Sequence, residues 1–392
     1  MKEGWEYSTI GKLCKTYSGG TPLKNVKEYY QDGNIPWLRS GEVCQKYIYE
    51  TEMFITQKGL ESSSAKYYPI NTVVVAMYGA TAAQVGILKI EATSNQAVCG
   101  IIPNSKFLPE FLYYFFCYRK EFLASQAQGG AQPNISQVKI KNLEVPVPSF
   151  SEQQSIVVYL DSAFAKIDAM KANAEKRLNE AKALFQASLK EMLEPKEGWE
   201  DKALKDFATD MYRGSGVKRD QVTEDGISCV RYGEIYTKYN YHFNECDSHT
   251  LEEYVNSPKY FEYGDILFAI TGESVEEIGK SIAYTGKDKC IAGGDIVVMK
   301  HNYEPRYISY ALSTPSAIKQ KGRGKTKLKV VHTNIPSLKE IIIPIAPVNE
   351  QIIIADTLDS LKSKVDRLQE NYEKISQECD ALKQAILRQV FE

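Results

Sequence analysis

Residues Pro146–Asp168 read PVPSFSEQQSIVVYLDSAFAKID, and Pro344–Asp366 read PIAPVNEQIIIADTLDSLKSKVD, 198 residues further on. Each begins with spaced prolines, passes an EQ pair and an LD pair, and continues with apolar residues at helical spacing. The likeness extends outward in both directions. GWEYSTIGKLC from Gly4 aligns without a gap to GWEDKALKDFA from Gly198, IPWLRSGEV from Ile35 to ISCVRYGEI from Ile227, and KYYPINTVVVAMYG from Lys66 to KYFEYGDILFAITG from Lys259. Four matched blocks in one order make the chain a tandem repeat of a unit of about 195 residues.

The chain of 392 residues, 43% of them hydrophobic, is long enough for two separate cores. Its N-terminus, MKEGWEYSTI, lacks the apolar stretch of a signal peptide. The longest apolar runs, Phe111 to Tyr118 and Ile341 to Val348, are far too short to span a bilayer, so a cytoplasmic protein is expected. Eight cysteines without a CxxC pair and four histidines suggest neither a zinc cage nor a disulfide framework. A net charge of −2 gives no global attraction to nucleic acid, so any such binding must come from local patches.

Within each repeat the texture changes once. The first part has β-type runs such as Val73-Val74-Val75 and Ile266-Leu267-Phe268, glycine-rich turns and short helical stretches, and reads as a mixed α/β domain. After the prolines the pattern becomes one long helix, with Ser151 and Asn349 as candidate N-caps. In the second copy Leu358, Leu361, Val365, Leu368, Ile375, Leu382 and Ile386 fall on alternating three- and four-residue steps, a coiled-coil seam. The first copy carries the same phase through Ile156, Leu160, Ile167 and Met170, drifts near Arg177 and resumes at Leu184. Helices of this length, on the order of 60 Å, are too long to hide on their own domains. The expectation is two α/β domains, 1–148 and 195–346, and two long helices, 149–194 and 347–392, that pair as an antiparallel coiled coil with pseudo-twofold symmetry.

The order of globular domain, Pro-rich exit and EQ-initiated long helix, stated twice, resembles the specificity subunit of type I restriction-modification enzymes. The residues that carry the likeness are GWE near each unit's start, SGGTP at Ser18, SNQ at Ser94, GGAQPNIS from Gly129, and P-x-P…EQxxI…LD before each helix. The resemblance spans essentially the whole chain. It implies that each globular part is a target recognition domain reading one half of a split double-stranded DNA sequence. It implies further that the helices space the readers and carry two methyltransferase subunits, joined by restriction subunits. On this likeness the chain has no catalytic residues and binds no cofactor or metal; S-adenosylmethionine, ATP and Mg belong to the partners. Two linked readers can demand two half-sites at a fixed spacing, and the second contact becomes intramolecular.

DNA reading needs cations for phosphates and side chains that pair with base edges. The segment IKQKGRGKTKLK supplies Lys319, Lys321, Arg323, Lys325, Lys327 and Lys329 with no acid between them; a solvated charge run is the plain alternative. The corresponding loop of the first repeat offers amides instead: Gln126, Gln128, Gln132 and Asn134. Two readers of different chemistry predict two different half-sites. Further candidates are Ser18, Thr21, Lys24, Arg39, Tyr78, Thr81, Asn95 and Gln96 in the first domain, and Tyr212, Arg213, Ser215, Lys218, Arg219, Arg231, Tyr232, Thr271 and Glu273 in the second. Arg39 and Arg231 align with each other ahead of a Gly-Glu, so a structural salt bridge to Glu42 or Glu234 stands beside the DNA reading. Tyr113 and Tyr114, in FLYYFF, read as core.

Enzymatic alternatives find little. GRGKT at Gly322 fails the phosphate-loop pattern because position 319 is Lys rather than Gly. Asn34-Ile35-Pro36-Trp37 lacks the first proline of a methyltransferase tetrapeptide. Glu273, Glu276 and Glu277 have no acidic counterpart in the first repeat and read as a solvated loop. Two rivals are a coiled-coil scaffold with protein-binding domains, which a weak response to salt would betray, and the specificity subunit of a related defence system.

Overall fold

The computed structural model describes residues 4–126, 134–324 and 330–392. Gln128, Gln132, Lys325, Lys327 and Lys329 lie outside the described residues. The chain divides into two compact units, Met1–Ala174 with Tyr372–Glu392, and Glu175–Asn371. Each unit therefore contains one globular part and segments of both long helices.

The repeat is visible in the sheets. In the first unit a five-stranded sheet runs in the order Thr16–Ser18, Val98–Ile101, Val73–Ala76, Val85–Leu88, Tyr47–Ile48. In the second, Asp210–Arg213, Ile296–Lys300, Ile266–Ala269, Ser281–Tyr284 and His242–Phe243 take the same order. Val73–Ala76 and Ile266–Ala269 are buried along their whole length, as continuous β-branched and aromatic runs require at the centre of a covered sheet. Each unit has a further sheet: Phe54–Ile55, Ile35–Leu38 and Thr93–Ser94 in the first, and five strands that include Ile227–Val230 and Cys290–Ala292 in the second. The stretch quoted first closes each domain. Glu144–Val147 pairs antiparallel with Glu6–Thr9, and Ile342–Ile345 pairs with Glu200–Ala203. Each exit strand is thus bound back to its unit's first strand. The helix Pro109–Ser125 starts with proline at its first turn and buries Phe111, Tyr114, Phe115 and Phe116, so Tyr114 is core; Tyr113 is half-buried. Each buried Phe contributes about 1.5–3 kcal/mol relative to exposure.

The long helices span Phe150–Met192 and Val348–Phe391. The first begins two residues earlier than the cap reading placed it: Ser149 Oγ accepts the Glu152 N–H at 3.3 Å, and Ser151 lies inside the first turn. Proline spacing hid this, because Ser149 and Ser151 are both competent caps.

The repeated EQ and LD pairs act as clamps. Gln153 and Gln351 are fully buried amides. Gln153 accepts from Leu108 N at 2.9 Å and donates to Lys106 O at 2.8 Å and Pro148 O at 3.0 Å; Gln351 accepts from Glu304 N at 3.1 Å and donates to Ala346 O at 2.7 Å. A buried amide is costly unless it is bonded, so these bonds fix where each helix starts. About two turns later Asp161 receives Lys46 and Tyr114, and Asp359 receives His242 (2.8 Å), Tyr310 (2.6 Å) and Arg306 (2.7 Å). Burial alone would raise the Asp359 pKa, but the bonds from His242, Tyr310 and Arg306 prevail and hold it at about 2.

Ile156, Leu160, Ile167, Leu358, Leu361, Val365, Leu368, Ile375 and Ile386 are buried or half-buried. Leu382, Met170 and Leu184 are not: they are 47%, 58% and 62% exposed. After Cys379 the stripe steps by four to Lys383, which pairs with Asp168 and lies 5.2 Å from the Phe164 ring centroid, and continues through Ile386 and Leu387. A lysine stem fills the slot assigned to Leu382. In the first helix the stripe runs Ile167, Lys171, Ala174, Leu178, Ala181, Phe185, Leu189 without the expected drift. Counting only large apolar residues misplaced it, because Lys171 and the alanines keep the phase.

Candidate nucleic-acid interface

Each unit carries a cleft at the same place in the repeat. Its floor is built where a glycine loop meets the segment following a strand. In the first unit Gly20 N donates to Ser94 O at 2.8 Å, and a Cβ on Gly19 would come within 2.2 Å of the same carbonyl oxygen. Only glycine fits there, so SGGTP and SNQ are two sides of one contact. In the second unit a Cβ on Gly214 would meet Gly293 O at 2.2 Å, and Ser215 N donates to Ala292 O at 2.9 Å.

The first cleft encloses about 620 Å³ and is lined by Thr21, Lys24, Lys27, Tyr30, Gln31, Trp37, Arg39, Met53, Asn95 and Gln96. Five of these are sequence candidates: Thr21, Lys24, Arg39, Asn95 and Gln96. Thr21 and Gln96 bond each other, and Trp37 is fixed by donating to Gly20 O at 2.9 Å. Three cations and no carboxylate line this cleft. The second cleft, about 750 Å³, is lined by residues that include Lys218, Arg219, Arg231, Tyr232, Thr237, Lys238, Glu234 and Asp295. Four cations face two acids there. The sequence reading missed Lys27, Gln31, Thr237 and Lys238. Lys27 follows Lys24 by three residues and Lys238 ends the helix after Tyr232, so position along the same elements was the available signal.

The salt-bridge reading of the aligned arginines holds. Arg39 Nε lies 3.1 Å from Glu42, and Arg39 also reaches Glu52; Arg231 lies 3.6 Å from Glu234. Each glutamate also accepts the backbone N–H of its arginine, at 3.0 and 2.8 Å. The carboxylate caps the turn and steadies the guanidinium, whose side chain still lines its cleft.

Other candidates pair with Asn134 in the first unit and with His332 in the second. Tyr78 bridges to Asn134, and Thr81 Oγ1 donates to Tyr78 O at 3.3 Å. In the second unit Thr271 pairs with His332, their side chains 3.1 Å apart. Lys319 and Arg323 are exposed.

Several candidates sit elsewhere. Lys321 is buried, its Nζ donating to Ser281 Oγ at 2.9 Å, and burial pushes its pKa down to about 7. It closes the helix Pro315–Lys321 on its inward face, so it does not meet a phosphate as placed. Ser215 is buried and accepts from Lys259 N at 2.7 Å. Tyr212 is half-buried, donates to Tyr260 O, and burial pushes its pKa up to about 12. Arg213 pairs with Asp295 at 2.6 Å at the cleft's edge, and Ser18 is a half-buried strand residue opposite Cys99. Spacing along the chain could not separate inward from outward residues in these short elements. Among the described residues no group of three or more His, Cys, Asp or Glu is placed to hold a metal ion, and no helix is long and apolar enough to cross a membrane.

Two repeats of one mixed α/β domain, each with a polar cation-bearing cleft and each clamped to a long helix, define a tandem-domain protein with a recurrent cleft. A family model described as "Type I restriction modification DNA specificity domain" matches residues 2–180 and 196–377, and the chain belongs to that family. It is similar to the type I restriction enzyme EcoR124I/EcoR124II specificity subunit of Escherichia coli, 32% identical over 167 residues, which is 41% of each chain. It also resembles the type I restriction enzyme EcoKI specificity subunit of Escherichia coli (strain K12), 24% identical over all of this chain and 89% of the relative. A solved chain from work on complex assembly of the type I R-M system superimposes with a TM-score of 0.76 over 100% of this chain and 98% of its own, at 17% identity, which establishes likeness of fold. The alignments to the relatives above 30% identity thus span about two fifths or less of their length.

Proposed function

We propose that this chain is the DNA-reading subunit of a type I restriction-modification complex, each cleft reading one half of a split target. The observation that carries this reading is the recurrence of the cleft in both repeats with different linings. Amides and lysines line the first; Lys218, Arg219, Arg231 and Lys238 among acids line the second. A shared frame with divergent readers is what an asymmetric two-part target demands. The long helices pair antiparallel as a coiled coil and hold the readers at a fixed spacing. In support, Asp168 pairs with Lys383 and Lys171 with Asp380 (3.5 Å) in one unit, and Lys182 donates to Gln369 at 2.8 Å in the other. The outer helix faces carry two methyltransferase subunits, and restriction subunits join through them. Methylation with S-adenosylmethionine and ATP-driven, Mg-dependent cleavage belong to those partners, and this chain is itself non-catalytic and cytoplasmic.

The test is a pull-down of the tagged chain from its native cells, with a methylome compared with and without the gene. A co-purifying methyltransferase and the loss of one split methylation motif are expected. An unchanged methylome and no methyltransferase would replace this reading with a protein-binding scaffold.

A further inference from the structure

Asn95 and Gly293 hold the same place in the two repeats. Asn95 N donates to Leu38 O at 2.9 Å and Gly293 N to Val230 O at 2.8 Å, and the residues just before them, Ser94 and Ala292, pair in parallel register with Leu38 and Val230. The two places differ in what they can carry. A Cβ on Gly293 would lie 2.8 Å from Val230 O, so the second cleft has no room for a side chain there. The first cleft has the Asn95 amide, with that of Gln96 next to it.

The backbone sets which way the Asn95 amide faces. Its Oδ1 accepts the Ala97 N–H at 3.1 Å, and Nδ2 is the end without a partner among the described residues. A backbone N–H can only donate, so the amide cannot be turned round without losing that bond. The residue itself is held too: Asn95 O accepts from Val98 N and from Ser94 Oγ, each at 3.2 Å. Asparagine reads adenine by donating to N7 while its Oδ1 accepts the N6 amino group. Here the half of the amide that adenine needs as acceptor is already bonded, and the half that donates is free. Gln96 is in the same state, its Oε1 accepting from Thr21. The charged groups of the lining are Lys24, Lys27 and Arg39, so an amino group brought against Asn95 would meet a donor among cations.

We propose that the first cleft reads a guanine of its half-site from the major groove, with Asn95 Nδ2 donating to O6 or N7. Guanine is the base whose major-groove edge offers acceptors alone. Adenine and cytosine present an amino donor there, and thymine a single acceptor beside a methyl group. A donor that meets a donor leaves both unpaired, which costs more than the lost bond itself. The second cleft, with Gly293 at this place, has no counterpart of the contact. The contact presupposes the DNA-reading function proposed above and adds to it a base and the atom that reads it.

The experiment measures binding of the full chain to duplexes bearing the methylome-derived split motif, with each base pair varied in turn. Replacing one guanine by adenine is expected to weaken binding about tenfold, the scale of one lost base contact. Inosine, which keeps O6 and N7 and lacks only the minor-groove amino group, is expected to bind as guanine does. Asn95→Ala should erase the preference at that position alone. Asn95→Asp keeps the shape and the acceptor for Ala97 but turns the free donor into an acceptor, so it should shift the preference to a base that presents an amino group, cytosine or adenine. Thermal unfolding shows whether each variant folds; should Asn95→Ala fail to, Asn95→Asp decides. A guanine preference that survives both variants, adenine preferred by the wild type at the position that Asn95 governs, or a loss with inosine equal to that with adenine overturns the contact and leaves the DNA reading standing. A wild-type chain that binds no duplex overturns both.

Discussion

Trp199 donates its indole N–H to Glu350 at 3.0 Å, and the aligned Trp5 donates to Glu152 at 2.8 Å. The GWE that opens each repeat and the EQ that opens each helix are thus two ends of one hydrogen bond, which ties the first strand of a domain to the helix leaving it. Trp199→Phe keeps the edge contact with Tyr307, whose ring centroid is 6.3 Å away, but removes the donor to a carboxylate. A loss of about 1–2 kcal/mol is expected in urea unfolding. Trp199→Phe combined with Glu350→Gln should cost little more than the single change, because the two residues act as one pair. Additive losses would separate them.

The Asp359 clamp makes a pH prediction. Its folded pKa is depressed to about 2 from an ordinary 3.8, so the unfolded chain binds more protons between those values. The stabilisation is full above pH 3.8 and lost as pH falls through about 2. Asp359→Asn should destabilise the second unit at neutral pH by about 1–3 kcal/mol, below the full cost of breaking a buried pair because the group is partly solvated. It should also flatten the acid limb of stability between pH 4 and 2. Chemical unfolding followed against pH checks both; an acid limb as steep as in the wild type would place the stabilisation in other carboxylates.

Lys321 is buried where its neighbour Arg323 is exposed, so two cations alike in sequence differ in what they can meet. Its folded pKa of about 7 lies below the ordinary 10.5, so the unfolded chain holds more protons through that window and stability rises with pH across it. Lys321→Met should therefore raise the melting temperature at pH 7, by less at pH 10, and leave the salt slope of DNA binding untouched. Arg323→Ala, at an exposed cation, should do the reverse: no change in melting temperature, and a slope of log K against log salt flatter by about 1.

The repeat, the two domain types and the start of each long helix were legible because they are written in runs of residues, where period and punctuation survive without a partner. The cleft was legible in part. Thr21, Lys24, Arg39, Asn95 and Gln96 carried their polarity in glycine-bounded loops. Lys321 and Ser215 did not, since a lysine beside Gly322 reads the same whether its stem turns outward or packs beneath Gly279, 3.3 Å from a Cβ placed there. The EQ and LD pairs were visible as motifs, but their partners Leu108, Glu304, Tyr114 and Arg306 are remote in sequence, and only folding joins them.

The seam of the second long helix gives a prediction in which sequence and structure disagree. Heptad counting puts Leu358 and Leu382 on one seam, yet Leu358 is fully buried and Leu382 is 47% exposed. Leu358→Ala should cost about 2–5 kcal/mol through lost burial and the cavity left behind. Leu382→Lys, which would be ruinous in a seam, should stay within about 0.5 kcal/mol of the wild type because it alters only a solvated face. Lys383 takes the inward slot and pairs with Asp168, so Lys383→Glu brings two carboxylates together and should destabilise the first unit more than Leu382→Lys does. Thermal unfolding of the three variants orders them as Leu358→Ala worst, Lys383→Glu next and Leu382→Lys neutral. If Leu382→Lys unfolds the protein instead, the stripe through Cys379 and Lys383 is not the packed one.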